Sequence, residues 1–292
     1  MMDVWRLLRE FDIQPKKSLG QNFLVDQRAL KRIVEAAELG PEDIVLEIGP
    51  GLGTLTRCLA EKAGRVVAVE LDHHLVEVFR QVLADCPNVE IVQGDILQFD
   101  PVELVRGAMR PCSPASLPLY KVVANLPYYI TSAVLRHLLT AKVKPRLIVV
   151  TVQLEVARRI TAEPGDMSLL AVSVQFYGRP RIVARIKASA FYPSPQVDSA
   201  VVRIELDDRP VVEVDDVDGF FAVVRAGFAQ RRKQLRNTLS AELALPTDEV
   251  EQALSRAGVN PQRRAQTLSL EEWARVWKEV QACGIMAIKQ TA

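Results

Sequence analysis

The stretch IVLEIGPGLGTLT, residues 44–56, decides the fold. Five apolar-rich residues run into glycines at 49, 51 and 53, and a helical pattern follows over 54–63. A short apolar run closed by glycine suits a strand buried on both faces. Glycines at such a turn let the backbone close tightly and approach a ligand, with the first amides of the next helix facing it. The same grammar repeats outward. RVVAVEL (65–71), VEIVQGD (89–95), KVVAN (121–125) and RLIVVTVQ (146–153) read as strands, with helical patterns over 73–85 and 131–141. This alternation predicts an α/β fold with a doubly wound, mainly parallel sheet. A segment over 155–177 reads as helical, broken at EPGD (163–166). RPRIVARI (179–186) and SAVVRIEL (199–206) read as two further strands. The loop FYPSPQVD (191–198) lies between them, so at least one is expected to run antiparallel to the rest.

The composition shifts at the acidic stretch LDDRPVVEVDDVDG (206–219), a linker by its pattern. Beyond it the periodicity is helical over 217–230, 232–243, 247–257 and 269–282. Thr247 with Glu249 and Glu251, and Ser269 with Glu271 and Glu272, suit helix starts. The expected division is a first domain over 1–208 and a small all-helical C-terminal domain over 209–292. The proline-bearing stretch RPCSPASLP (110–118) reads as a surface loop.

The 292 residues are 49% hydrophobic and 25% charged with a net charge of +1, which excludes a disordered, collagen-like or coiled-coil chain. No run of eighteen apolar residues is present, so no membrane helix is expected. The cysteines at 58, 86, 112 and 283 form no C-x-x-C pair, and the three histidines stand at 73, 74 and 137. No metal site or disulfide framework is expected, and a reducing compartment fits. Asp3, Glu10 and Asp12 lie near the N-terminus with no long apolar stretch beside them. The expectation is therefore a cytoplasmic protein without a secretory signal.

The glycine turn narrows the ligand. A dinucleotide fingerprint needs a third glycine where Thr54 stands, and a phosphate loop needs a lysine that is absent. What stands there is G-x-G-x-G with Glu47 two residues before it. Glu70 ends the second strand, where a carboxylate can accept both hydroxyls of a ribose. Asp95 ends the third, where it can accept an adenine amine. Successive strand ends form one crevice. A ligand with a ribose, an adenine and a cationic end suits Glu47, Glu70 and Asp95, and S-adenosylmethionine has those parts.

VVANLPYYIT (122–131) follows the fourth strand. The Asn125 side-chain oxygen and a backbone carbonyl fixed by Pro127 can accept both hydrogens of an amine on a planar base. That frees the nitrogen lone pair and aims it at a methyl donor. Tyr128 can stack on the base, a contact worth roughly 1–3 kcal/mol. Such chemistry runs on orientation and placed dipoles and needs no catalytic histidine.

LEIGPGLG, VELD, QGD and NLPYYIT stand in order, with KKSLGQNFLVD (16–26) upstream and FYPSPQVDSAVVRI (191–204) downstream. RRKQLRNTL and RAQTLSLEEW follow near the C-terminus. Together these motifs resemble the ribosomal RNA adenine N6-dimethyltransferase family, in its bacterial small-subunit branch, along nearly the whole chain. The resemblance implies a class I S-adenosylmethionine-dependent methyltransferase fold, a Rossmann-like sheet of seven strands, with a small helical C-terminal domain. It implies methyl transfer to two adjacent adenosines near the 3′ end of 16S ribosomal RNA, two methyls on each. It implies Asn22, Leu24, Gly49, Glu70, Asp95 and Asn125 as cofactor contacts. The Asn125, Leu126, Pro127 and Tyr128 motif is implied as the catalytic centre, with Phe191 on the second face of the flipped base. Tyr129 stands where some members carry Asn.

Local charge points to the RNA. Residues 121–190 hold 11 Lys and Arg against 3 Asp and Glu. RAGFAQRRKQLR (225–236) has five basic residues and no acidic one. Arg231, Arg232, Lys233 and Arg236 are expected on a helix facing phosphates, and a basic cleft between the domains is expected to hold structured RNA. The chain is expected to act as a monomer on an immature small subunit. Three alternatives remain open: an NAD-dependent oxidoreductase, a non-catalytic assembly factor, and the large-subunit adenine methyltransferase branch of macrolide resistance.

Overall fold

The computed structural model describes residues 4–107 and 119–282. The stretch 110–118, Cys112 and Cys283 lie outside these described residues. In chain order the first elements are α1 (Val4–Glu10), β1 (Phe23–Leu24), α2 (Gln27–Ala37), β2 (Ile44–Ile48), α3 (Thr54–Ala60), β3 (Arg65–Glu70), α4 (His73–Val82), β4 (Val89–Gln93) and α5 (Pro101–Gly107). They are followed by β5 (Tyr120–Asn125), α6 (Thr131–Leu139), β6 (Leu147–Gln153), α7 (Leu154–Ile160), α8 (Leu169–Tyr177), β7 (Gly178–Ile186), β8 (Phe191–Tyr192) and β9 (Ser199–Leu206). The last helices are α9 (Val217–Phe228), α10 (Leu235–Leu243), α11 (Thr247–Arg256) and α12 (Leu270–Ala282).

The chain divides into two compact units, 1–158 with 179–207, and 159–178 with 208–292. In the first unit seven strands form one sheet in the order β4-β3-β2-β5-β6-β9-β7. Strands β2 to β6 pair in parallel, and β9 runs antiparallel to β6, with Thr151 opposite Val201. This is the seven-stranded sheet that the family resemblance implies. Val45, Val66, Val123, Val149 and Val201 are wholly buried, as continuous apolar runs demand of strands covered on both faces. The chain moves from β2 out to β4 and returns to β5 beside β2, so strand order reverses between β2 and β5. Ligands of open α/β sheets bind outside the carboxyl ends of the strands at such a point.

Five elements were not read from the sequence: α1, α2, α5 and the paired strands β1 and β8. Helix α2 had a legible start, since Asp26 accepts a hydrogen bond from the Ala29 amide at 2.8 Å. At the opposite sheet end the buried Lys121 ammonium donates to the Ala37 and Glu38 carbonyls and to Asp43. It neutralises the C-terminal end of α2.

The second unit packs its helices around Phe176, Phe220, Leu235, Leu239, Trp273 and Trp277. Ser269 opens α12 with a reciprocal cap. Its hydroxyl accepts from the Glu272 amide, and Glu272 accepts from the Ser269 amide at 2.8 Å. Helix α11 instead begins at Thr247 with no side-chain cap.

One boundary differs from the expected division. Residues 159–178, expected with the first domain, belong to the second unit. Helix α8 buries Ala171, Val172 and Phe176 in that unit's core, with Phe176 stacked on Phe220 at 5.0 Å. The loop before it is pinned there too, because Gly165 and Met167 both donate their amides to the Gln266 carbonyl. Sequence proximity favoured the first domain; burial of apolar surface decides otherwise.

Candidate active site

The carboxyl ends of β4, β3, β2 and β5 bring Asp95, Glu70, Gly49 and Asn125 to one pocket. It is also lined by Asn22, Leu24, Leu126, Pro127 and Tyr128.

The glycine turn forms because the backbone there enters the left-handed region. Gly49 and Gly51 have φ of +66° and +57°, which side chains rarely adopt. A Cβ on Gly51 would also meet the Phe23 ring at 3.1 Å. The Gly51 amide donates to Glu70 Oε2 at 3.1 Å, and the Asp72 amide donates to Glu70 Oε1 at 2.9 Å. Each Glu70 oxygen therefore accepts one backbone bond and keeps further acceptor capacity toward the pocket. Burial pushes the Glu70 carboxyl above its ordinary range, against the opposing pull of the Asp72, Gly51 and Leu71 amides. Asp95 accepts from the Leu97 amide at 3.0 Å, which fixes its orientation at the pocket edge.

Glu47 is the outstanding electrostatic feature. It is 1% exposed, and its Oε2 has no hydrogen-bond partner. Burial pushes its carboxyl up to about 8, with the Thr56 hydroxyl opposing and Glu70 adding to the rise. A buried carboxylate oxygen without a partner on a pocket wall is costly alone. It suits a ligand that brings positive charge, so S-adenosylmethionine fits the residues present.

Asn125 ends β5, and its Nδ2 donates to the Asn22 carbonyl at 3.2 Å. A carbonyl can only accept, so the Asn125 amide is oriented with its oxygen free for an amine. The Pro127 carbonyl is already engaged by the Ile130 amide at 3.2 Å. The Leu126 carbonyl accepts from none of the described residues, and Leu126 lines the pocket. Tyr128 shares a hydrogen bond of 2.7 Å with the buried Ser199 hydroxyl, which holds its ring in place. No histidine is among the pocket residues.

Phe191 departs from expectation. Its ring is 4% exposed and packs in an apolar cluster with Leu24, Ile33, Val45 and Val201, and it does not line the pocket. The pairing of β8 with β1 sets Phe191 opposite Leu24 and turns the side chain inward. It supports the pocket wall from behind. The exposed aromatic at the mouth is Tyr129, 59% exposed, with its ring against Gly20.

The basic cluster also departs. Arg231, Arg232 and Lys233 are exposed in the turn between α9 and α10, not on a helix. Arg236 lies in the first turn of α10 and is half-buried, paired with Glu251. Among the described residues no group of His, Cys, Asp or Glu is placed to hold a metal. No helix among them is long and apolar enough to cross a membrane.

Sequence reasoning missed Gln21, Leu71 and Ile96, which also line the pocket. The signal was present, since Leu71 and Ile96 directly follow Glu70 and Asp95, which line the pocket.

The ribosomal RNA adenine dimethylase family profile matches residues 13–282. The chain is 47% identical over 277 residues to a ribosomal RNA small subunit methyltransferase A of Moorella thermoacetica, covering 94% of this chain and 96% of that protein. A crystal structure of the 23S rRNA methyltransferase ErmE is 32% identical, covering 89% of this chain and all of that one, with a TM-score of 0.69. A dimethyladenosine transferase from Plasmodium falciparum, 23% identical over 90% of this chain and 98% of that one, shares the fold with a TM-score of 0.75.

Proposed function

The chain belongs to the ribosomal RNA adenine dimethylase family and is an S-adenosylmethionine-dependent ribosomal RNA adenine dimethyltransferase; from that premise we propose that its target is the pair of adjacent adenosines near the 3′ end of 16S ribosomal RNA. It acts on the immature small subunit, in the cytoplasm, as a monomer.

The observation that carries the mechanism is the orientation of Asn125. With Nδ2 on the Asn22 carbonyl, Asn125 Oδ1 and the Leu126 carbonyl accept the two hydrogens of an adenine N6 amine. The lone pair leaves conjugation with the ring and points along the path of transfer. The Tyr128 ring supports the base face. S-adenosylmethionine supplies an electrophilic methyl group when bound. Glu70 holds its ribose hydroxyls, Asp95 its adenine amine and Glu47 its cationic end. Asn22, Leu24 and Gly49 close the pocket around it. The rate comes from alignment and fixed dipoles.

Exposed Arg231, Arg232 and Lys233 are assigned to RNA phosphates, where turn placement lets three cations follow an irregular backbone. The target adenine leaves its stack to enter the pocket, which costs least in a single-stranded segment.

A second reading is favoured by the 32% identity to ErmE: the large-subunit branch, with the same pocket and another RNA. Methyl transfer from labelled S-adenosylmethionine to undermethylated small subunits, with bases mapped by mass spectrometry, decides between them. Dimethyladenosine at two adjacent 3′-end positions is expected. Label confined to large-subunit RNA would establish the other branch.

A further inference from the structure

Residues 19–22 line the pocket, and one carboxylate gathers the ties of the segment 16–22. Asp72 Oδ1 accepts from the Lys16 ammonium at 2.8 Å, and Oδ2 accepts from Gln21 Nε2 at 2.9 Å. The Lys16 amide donates to Gln21 Oε1 at 2.7 Å, which closes the segment on itself. Gly20 turns in the left-handed region at φ +59°, and its carbonyl accepts from Asn22 Nδ2 at 3.0 Å. The Asn22 carbonyl then meets Asn125. On the other side of Asp72, its own amide reaches Glu70. Hydrogen bonds and the covalent chain of residues 20–22 together link Glu70 to the Asn125 side-chain amide.

The Asp72 side chain is 5% exposed, while Lys16 is half exposed. Burial works to raise the Asp72 carboxyl, and the Lys16 and Gln21 bonds outweigh it and hold the group below its ordinary range. A carboxylate taken out of water for segment anchoring alone is an expensive choice, since apolar packing anchors a segment without a desolvation cost. What it adds is direction: two fixed acceptor sites set the register of residues 16–22, and so the place of the Asn22 carbonyl.

We propose that Asp72 is a positioning residue for methyl transfer, which acts through Lys16 and Gln21 to hold the Asn22 carbonyl against Asn125. The assignment rests on the methyltransferase reading above, and methyl transfer by the unaltered chain in the same assay reports that reading independently.

The test is a double-mutant cycle on the full chain with Asp72→Asn and Lys16→Met, and with Lys16→Arg as the conservative variant. Asn keeps the N-cap that Asp72 gives α4, so the fold is retained. Lys16→Met alters a half-exposed side chain and stays informative even if Asp72→Asn melts early. At saturating S-adenosylmethionine and subunit, each single variant is expected to lower kcat about tenfold, and the double no further than about twofold below either. Lys16→Arg is expected within about twofold of the parent. In the cofactor-free proteins, hydrogen exchange over 16–22 rises in both single variants while β2 to β6 stay protected. Unchanged kcat in either single variant, additive losses, or unchanged exchange over 16–22 overturns the proposal.

Discussion

Asn125 and Asn22 are 103 residues apart in sequence and joined by one hydrogen bond, from the Asn125 side-chain amide to the Asn22 carbonyl. The bond spends the donor end of Asn125 and leaves its acceptor end for the substrate. Asn125→Ala is therefore expected to lower kcat by about a hundredfold or more, the usual cost of removing one placed polar group from a transition state. S-adenosylmethionine affinity, read by calorimetry, should stay within about threefold. Equal losses in both would make Asn125 chiefly a cofactor ligand.

Glu47 yields a pH dependence of definite sign. Its folded carboxyl titrates at about 8 against an ordinary 4.5. The folded, cofactor-free chain thus holds a proton there that the unfolded chain has released. The stability this proton lends is complete below pH 4.5 and is lost as pH rises through about 8. Cofactor-free Glu47→Gln should melt above the parent at pH 8.5 and level with it near pH 5. Cofactor affinity should rise with pH toward 8 in the parent and be weaker and flat in the variant. A melting difference that ignores pH would remove the charge from the account.

Two aromatic residues should separate cleanly. Phe191→Leu trims a ring buried in the cluster behind the pocket, so it is expected to lower Tm, with stability losses on the order of 1–3 kcal/mol. KM for the ribosomal substrate should hardly change. Tyr129→Ala removes an exposed ring at the mouth and should leave Tm alone while raising that KM. The reverse pattern would return Phe191 to the base.

For the turn between α9 and α10, the readout is salt. Replacing Arg231, Arg232 and Lys233 together by Ala should reduce the slope of log affinity against log salt by roughly one per lost phosphate contact. Arg236→Ala should change the slope less and stability more, because Arg236 is committed to Glu251. An unchanged slope in the triple variant would move the RNA surface elsewhere.

The sheet and the carboxylates were legible in the sequence because they rest on local signals. Strands covered on both faces leave unbroken runs of Val and Ile, and each strand end is marked by Gly49, Glu70, Asp95 or Asn125. What escaped depends on distant partners. The inward turn of Phe191 follows from β8 pairing with β1, well over a hundred residues away. Arg236 reads as free in a basic run, yet Glu251 comes beside it only when α10 and α11 pack. The Asp72 ties to Lys16 and Gln21 span 56 and 51 residues, beyond any periodicity. Helix α8 was legible as a helix, but its allegiance to the second unit was not, since one apolar helix face does not name its partner.

That allegiance has a consequence for how the chain is made. Synthesis delivers α8 before β7, β8 and β9, so a helix of the second unit emerges while the first unit still lacks its last strands. Phe176 must wait for Phe220, which arrives after the whole sheet has left the ribosome. The first unit completes its sheet only when β7 and β9 have followed α8 out. The second cannot begin in earnest until both of its pieces exist. During that interval the apolar face of α8, with Ala171, Val172 and Phe176, has yet to meet the core that will bury it.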